Sequence, residues 1–359
     1  MNVLSLFDGM SCGRIALERN GVKVSNYYAS EVDKYAITVS KKNYPDIVQL
    51  GDVTKWREWN IDFASIDLLI GGSPCQGFSF AGGQLAFNDP RSKLFFVYAD
   101  IMNHILLLNP KLIFLLENVK MKKESEDVIS MIMGANPIKI NSALVSAQNR
   151  NRLYWTNIEG VEQPEDKGIL LKDIIHEAEI LEDELTPNFN INPSEKGMNG
   201  NVRSVNNDKS STLTTNKGEG LKVPFDKTLQ ILDKEIEKGT VGFFRKDSQG
   251  YRVYFIHGKS ITLNASSGGL GGKTGLYLFG NIIKTDEEKG NVNKFYTLTN
   301  KNGNGILIEG YIRKLTPIEC ERLQTVPDNY TEGVSNSQRY KMLGNGWTVD
   351  IICHILCNM

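Results

Sequence analysis

Cysteine and histidine are scarce: the 359-residue sequence holds five of the first and four of the second. An odd number of thiols with no Cys-x-x-Cys spacing and so few soft ligands make neither a disulfide framework nor a zinc site the economical reading, so no metal is expected. A single reactive thiol remains open. Long apolar runs are missing as well. Stretches such as Ile113 to Leu116 are far too short to span a bilayer, and the sequence opens on the strand-like Asn2-Val-Leu-Ser-Leu-Phe7 without a basic leader, so a cytoplasmic protein with no membrane role is expected. Charge of one sign is also lacking. The net charge is −1, so a nucleic-acid partner would require positive surface that is segregated rather than global.

What is present is the balance of a soluble globular protein, 40% hydrophobic and 23% charged, with length for two domains or for one large domain carrying an insertion. The first 157 residues alternate short apolar runs with amphipathic stretches. The runs are Val3–Phe7, Asn26–Ser30, Ile47–Leu50, Ile66–Ile70, Leu112–Leu116 and Leu153–Thr156. Between them Cys12–Asn20 reads as a helix stopped by Gly21, and Ser92–Leu108 as one ended by Asn109-Pro110. That rhythm predicts an α/β fold with a mostly parallel, Rossmann-like sheet covered by helices.

Composition changes near residue 159. Glu159 to Leu185 carries ten acidic residues against two lysines, whereas Thr186 to Ile312 carries 17 basic against 12 acidic. The second stretch is rich in Gly and Asn and echoes one phrase at Ser211-Thr-Leu-Thr214, Ile261-Thr-Leu-Asn264 and Tyr296-Thr-Leu-Thr299. Short strands and Gly-rich turns there predict a smaller β-rich domain. Helix signals return at Thr316–Leu323, and Trp347–Leu356 is expected to pack back on the first domain.

The chemistry starts at Gly71-Gly-Ser-Pro-Cys75-Gln-Gly77, which follows a buried-looking strand and sets a thiol at the carboxyl end of a parallel sheet, where open α/β folds place their sites. A lone cysteine is otherwise a small buried hydrophobe. Phe7-Asp-Gly-Met-Ser-Cys-Gly13 joins the first strand to the first helix with small residues that allow close approach of a ligand, yet lacks the full G-x-G-x-x-G. Glu31 follows the second strand where an acid meets ribose hydroxyls, and Asp52 follows the third, suited to an adenine amino group. Together they describe an adenosine pocket without phosphate-binding features.

The ordered set resembles the DNA cytosine-5 methyltransferases of bacterial or phage type. Phe7–Gly13 looks like the cofactor loop, Pro74-Cys75-Gln76 like the nucleophile motif, and Glu117-Asn118-Val119, Gln148-Asn-Arg150-Asn-Arg152, Glu321-Arg-Leu-Gln324 and Gly344-Asn-Gly-Trp-Thr-Val349 follow in the family's order. The likeness covers about residues 1–157 and 311–359. The loop departs from many bacterial relatives at Asp8 and Cys12, which puts the contact of Asp8 in question. Cys12, Cys320, Cys353 and Cys357 lack the Pro-Cys-Gln setting and read as structural.

The resemblance implies a catalytic domain over 1–175 plus 334–359 and a target-recognition domain over 176–333. It implies S-adenosyl-L-methionine as cofactor, with Phe7, Asp8, Gly9, Gly13, Glu31, Val32, Asp52, Val53, Asn345 and Trp347 at its site. The partner implied is double-stranded DNA, with a cognate restriction endonuclease as a functional rather than physical counterpart and the chain itself a monomer. Carbon 5 of cytosine is a poor nucleophile, so Cys75 would add to carbon 6, Glu117 would supply a proton at ring nitrogen 3, and Arg152, ranked above Arg150, would bind the ring carbonyl. The base must leave the helix stack, and the loop Phe78–Arg91 is the candidate cover. Arg203, Arg245, Lys246 and Arg252 are candidates for DNA contacts, with the acidic stretch turned away from DNA. Methylation of tRNA cytosine, a non-catalytic DNA-binding protein with a fossil site, and a nicotinamide-dependent oxidoreductase stay as rivals.

Overall fold

The computed structural model describes residues 1–74, 93–175, 189–192, 201–204, 230–231, 240–243, 249–265, 271–284, 295–299 and 305–359. The chain divides into two compact units. The first gathers Met1–Ile169, Ile261–Ala265 and Cys320–Met359; the second is Leu170–Ser260 with Ser266–Glu319.

The first unit runs β1 (Asn2–Leu6), α1 (Cys12–Arg19), β2 (Asn26–Ser30), α2 (Lys34–Asn43), β3 (Val48–Gln49), β4 (Leu68–Gly71), α3 (Lys93–Leu108), β5 (Ile113–Val119), α4 (Lys123–Met133), β6 (Ile138–Asn141) and β7 (Asn151–Thr156). These strands form one sheet in the order β3-β2-β1-β4-β5-β7-β6. The pairings β2–β3, β1–β2, β1–β4 and β4–β5 are parallel, and β5–β7 and β6–β7 are antiparallel. The expected α/β architecture with a mostly parallel sheet is therefore observed, and the antiparallel turn at β6–β7 brings Arg152 alongside β5. The expected strand at Leu153–Thr156 begins earlier, at Asn151, because the polar Asn151 and Arg152 also pair with β6.

Strands buried on both faces read as unbroken apolar runs, as in Leu68-Leu-Ile-Gly71, and α3 covers them with Phe95, Tyr98, Ile101, Met102 and Ile105. Each such side chain removed from water contributes about 1.5–3 kcal/mol. Two glycines set the spacing. A Cβ on Gly13 would lie 2.3 Å from Ile70 Cδ1, so its absence lets α1 sit close on β4; one on Gly71 would lie 2.9 Å from the Leu6 carbonyl oxygen. Helix α3 stops where Asn109 turns its amide to the Ile66 carbonyl at 2.9 Å, ahead of Pro110.

In the second unit β8 (Phe189–Asn192) pairs with β9 (Asn201–Ser204). A further sheet joins β10 (Gln230–Ile231), β11 (Thr240–Phe243), β12 (Arg252–Phe255), β13 (Leu276–Lys284), β14 (Phe295–Thr299) and β15 (Gly305–Arg313) in the order β10-β11-β12-β13-β15-β14.

The chain closes with α5 (Pro317–Leu323), α6 (Asn336–Asn345) and α7 (Val349–Leu356). As expected, the final helix packs on the amino-terminal elements. Arg19 bonds Asp350 at 2.8 Å, Asn20 donates to the Cys353 carbonyl at 2.9 Å, and the Tyr330 hydroxyl donates to the Met10 carbonyl at 2.7 Å. Among the described residues no helix is long and apolar enough to cross a membrane, and no group of three His, Cys, Asp or Glu side chains could hold a metal.

Candidate active site

Glu117 sits near the carboxyl end of β5. Its antiparallel partner on β7 is Tyr154, while Arg152 pairs with Val119, so Glu117 and Arg152 are diagonal neighbours on one face of the ribbon. Arg152 Nε lies 2.8 Å from Glu117 Oε1, with both side chains largely buried. The Nε–H is aimed off that line, so the contact is an ion pair rather than a hydrogen bond. The other oxygen, Oε2, accepts from Trp347 Nε1 at 3.2 Å. Next to Glu117, the Asn118 amide donates to Ser73 Oγ at 3.3 Å, which ties the end of β5 to the turn after β4. Cys75 and the loop Phe78–Arg91 lie outside the described residues; Ser73 stands two residues before Cys75 in the chain.

Arg150 has a different setting. It is 2% exposed, and its guanidinium donates to the backbone carbonyls of Leu263 at 3.3 Å, Gly344 at 3.3 Å and Gly346 at 3.0 Å. Burial, then the adjacent Arg152 charge, pulls it down to about 9, which still leaves the group charged at neutral pH. Arg150 therefore binds together the hairpin, the Thr262-Leu263 phrase and the loop that carries Trp347. Thr262 adds a bond from its hydroxyl to the Asn149 carbonyl at 2.6 Å.

The residues expected at an adenosine pocket follow β1, β2 and β3, which are adjacent in the sheet. Phe7 (φ 57°), Gly9 (φ 58°) and Ser11 (φ 65°) all take left-handed backbone conformations, which are costly for Phe7 and Ser11. A Cβ built on Gly9 would meet nothing within 4 Å, so the loop borders open space. Glu31 bridges that loop to β2: Oε2 accepts from Gly9 N at 2.8 Å, and Oε1 from Val32 N at 2.7 Å and Asp33 N at 2.8 Å. Val32 is 72% exposed, a large apolar side chain left uncovered at the same edge. Asp52 is exposed, uses one oxygen to accept from Thr54 N and Thr54 Oγ1, and burial of Val53 beneath it anchors the turn.

Asp8 points the other way. Its carboxylate is buried and accepts from Ser5 Oγ and Ser11 Oγ at 2.6 Å and from the Tyr27 hydroxyl at 2.8 Å. Burial pushes it up to about 6. Gly13 is spent on helix packing, and Asn345 ends α6 with its side chain exposed. Cys12 and Cys353 are pushed up to about 12 and about 11 by burial, which makes both poor nucleophiles. Sequence reasoning passed over Gly72, Ser73 and Gln324. Gln324 donates from Nε2 to the Leu343 carbonyl at 2.6 Å and accepts from Thr348 Oγ1 at 2.9 Å, a tertiary role that only its neighbourhood in Glu-Arg-Leu-Gln hinted at.

The residues present fit a nucleoside-bearing cofactor. Open space faces Gly9, an apolar side chain lies exposed beside a carboxylate at β2, and a second exposed carboxylate stands at β3.

The family model for C-5 cytosine-specific DNA methylases matches residues 1–133 and 140–359. The orphan methyltransferase M.SPRI of Bacillus phage SPR is 30% identical, covering 98% of this chain and 95% of its own. The type II methyltransferase M.HhaI of Haemophilus parahaemolyticus is 28% identical, covering 100% of this chain and 94% of its own. Among solved structures, the Entamoeba histolytica methyltransferase EhMeth superposes with a TM-score of 0.59 at 16% identity, covering 99% of this chain and 96% of that one. The S. pombe Dnmt2 methyltransferase gives 0.57 at 15%, covering 99% and 97%. A model spanning nearly the whole length, and a phage relative at that identity and coverage, make this chain an enzyme of the C-5 cytosine-specific DNA methylase family.

Proposed function

We propose that the protein moves a methyl group to carbon 5 of a cytosine swung out of a specific double-stranded DNA sequence, through a transient bond between Cys75 and carbon 6. The observation that carries this reading is the Arg152–Glu117 pair, 2.8 Å apart at the carboxyl edge of the sheet. An arginine and a carboxylate side by side match the carbonyl and ring nitrogen 3 of one pyrimidine edge. In the reaction Glu117 takes up a proton from solvent as the base binds, the Cys75 thiolate adds to carbon 6 while Glu117 passes that proton to nitrogen 3, and Arg152 steadies charge on the carbonyl, so carbon 5 becomes nucleophilic. After transfer, loss of the carbon 5 proton expels the thiolate.

S-adenosyl-L-methionine would supply the electrophilic methyl. Glu31 and Asp52 would hold its ribose and adenine, with Phe7, Gly9, Val32, Val53, Asn345 and Trp347 about it. We assign Arg150 to holding the site together, and Asp8 to bracing the loop from within. The stretch 176–333 takes the target-recognition role in a monomer acting in the cytoplasm; the type II name of the Haemophilus relative supports a cognate restriction endonuclease, whereas the orphan name of the phage relative supports modification without one.

The test is bisulfite sequencing of plasmid from cells expressing the chain. One methylated motif is expected, lost in Cys75→Ser and reduced at least about a hundredfold in Glu117→Gln, the usual weight of a lost proton donor. Label from the cofactor entering tRNA and not duplex DNA would overturn the DNA reading, and full activity of Cys75→Ser would overturn the covalent mechanism.

A further inference from the structure

Glu117 has its two oxygens held by different partners, and only one of those partners belongs to the chemistry proposed above. Oε1 faces Arg152 at 2.8 Å; Oε2 accepts from the Trp347 indole at 3.2 Å. When a pyrimidine edge arrives, Arg152 must turn to the ring carbonyl and Oε1 must turn to nitrogen 3, so the ion pair that orients the carboxylate beforehand is given up at the moment orientation matters. A carboxylate anchored by Arg152 alone would be free to follow it. The indole is the second anchor.

Two features show that this contact is built. The first is space: a Cβ on Gly72 would lie 2.9 Å from Trp347 Nε1 and 3.0 Å from Glu117 Oε2, so any other residue at 72 would wedge the pair apart. The second is the fixing of the indole's own backbone. Gly346 O, next to Trp347, accepts from Arg150 Nη2 at 3.0 Å and from Gln324 Nε2 at 3.2 Å. On the other side Thr348 Oγ1 donates to Gln324 Oε1 and accepts from Ser142 Oγ at 2.8 Å. Packing against a cofactor would need only the ring face; it would not need the N–H aimed at a carboxylate.

Resting on the reading above, we infer that Trp347 is a positioning residue for the methyl transfer: its N–H pins Oε2 of Glu117, with Gly72 leaving the room, so that Oε1 alone passes from Arg152 to the cytosine. Trp347→Phe keeps an aromatic face and removes the donor. Its kcat for duplex methylation is expected to fall about tenfold, the worth of one hydrogen bond to a charged group, with KM for DNA and for S-adenosylmethionine each within about twofold of the parent. Gly72→Ala is expected to lower kcat at least as far. If Trp347→Phe folds poorly, the isosteric benzothienyl analogue of tryptophan at 347, with sulfur in place of N–H, gives the same comparison without loss of volume.

Unchanged kcat in the donor-less variants, or a rise confined to the cofactor KM, overturns the inference and leaves the indole as a cofactor wall. A parent chain that methylates no cytosine, or a Glu117→Gln variant as fast as the parent, overturns the underlying reading and this inference with it; an active parent with a slow Glu117→Gln separates the two failures.

Discussion

Arg150 and Arg152 stand two residues apart in the chain, yet their guanidinium groups meet different surroundings, and the difference is measurable. Arg150 is enclosed and spends its donors on three backbone carbonyls; Arg152 has a single carboxylate before it. A lysine at 150 has no planar fork with which to reach three acceptors, so carbonyls are left unpaired in a buried place. Arg150→Lys is expected to lose about 1–3 kcal/mol of stability in urea melts, the range for leaving a buried polar group unpaired. Arg152→Lys is expected to unfold near the parent's midpoint while its methylation rate drops. Equal midpoints for the two variants would refute this division. Asp8 gives a second test, through pH. Its folded value of about 6 lies above the ordinary carboxylate value of 3.8, so the folded state holds the extra proton between those limits. The stability this proton contributes is full below about pH 4 and lost as pH rises through 6, about 3 kcal/mol in all. Relative to Asp8→Asn, which does not titrate, the parent should therefore weaken across that window; a constant difference between the two melts would show that Asp8 is ionised throughout.

At the scale of elements, the contact of α1 with β4 turns on one missing methyl. Gly13→Ala sets a Cβ 2.3 Å from Ile70 Cδ1 and 3.2 Å from the Tyr27 hydroxyl, an overpacking that costs about 1–3 kcal/mol. The closest atom is a side-chain terminus, so Ile70→Val should restore part of the loss in the double variant; additive losses in calorimetry would mean that the strain lies in the backbone instead. The elements themselves were unequally legible. The expected β2 has its observed limits and β1 differs by a residue: β1 prints an apolar run broken only by Ser5, and β2 a short aromatic stretch bounded by Asn26 and Ser30. Helices α2 and α4 and strand β6 were not read. α2 buries only Ala36, Val39 and Ser40, and α4 only Ser125, Ile129 and Met133, stripes too thin to show a helical period against so many charged neighbours. β6 has four residues with one fully buried, Ile140, and takes its identity from pairing with β7. The resemblance implied that Glu117 and Arg152 act on one base, and the β5–β7 register is what brings them together. The Trp347–Glu117 bond was not implied, because it joins residues 230 apart in the chain and depends on a space left at Gly72.

At the scale of the molecule, the first unit is assembled from chain segments that synthesis produces far apart: 1–169, the short Ile261–Ala265, and 320–359. The last segment is not an appendage. α7 buries Val349, Ile351, Ile352, Ile355 and Leu356, and polar bonds to Arg19 and Asn20 fix its angle on α1. Five side chains at about 1.5–3 kcal/mol each sum to roughly 7–15 kcal/mol, as large as the whole net stability of an ordinary domain, about 5–15 kcal/mol. The amino-terminal half, although it holds all seven strands of the sheet, is therefore expected not to fold cooperatively until the carboxyl terminus has been made. A chain stopped after Thr348 keeps every proposed catalytic side chain and loses only α7 and the three residues that follow it. Its circular dichroism should show no sharp thermal transition, and amides of α1 in the full chain should exchange with the same opening free energy as those of α7. A truncated chain that melts cooperatively near the parent's temperature would mean that the sheet and its amino-terminal helices stand alone, and that the final helix covers a core already formed.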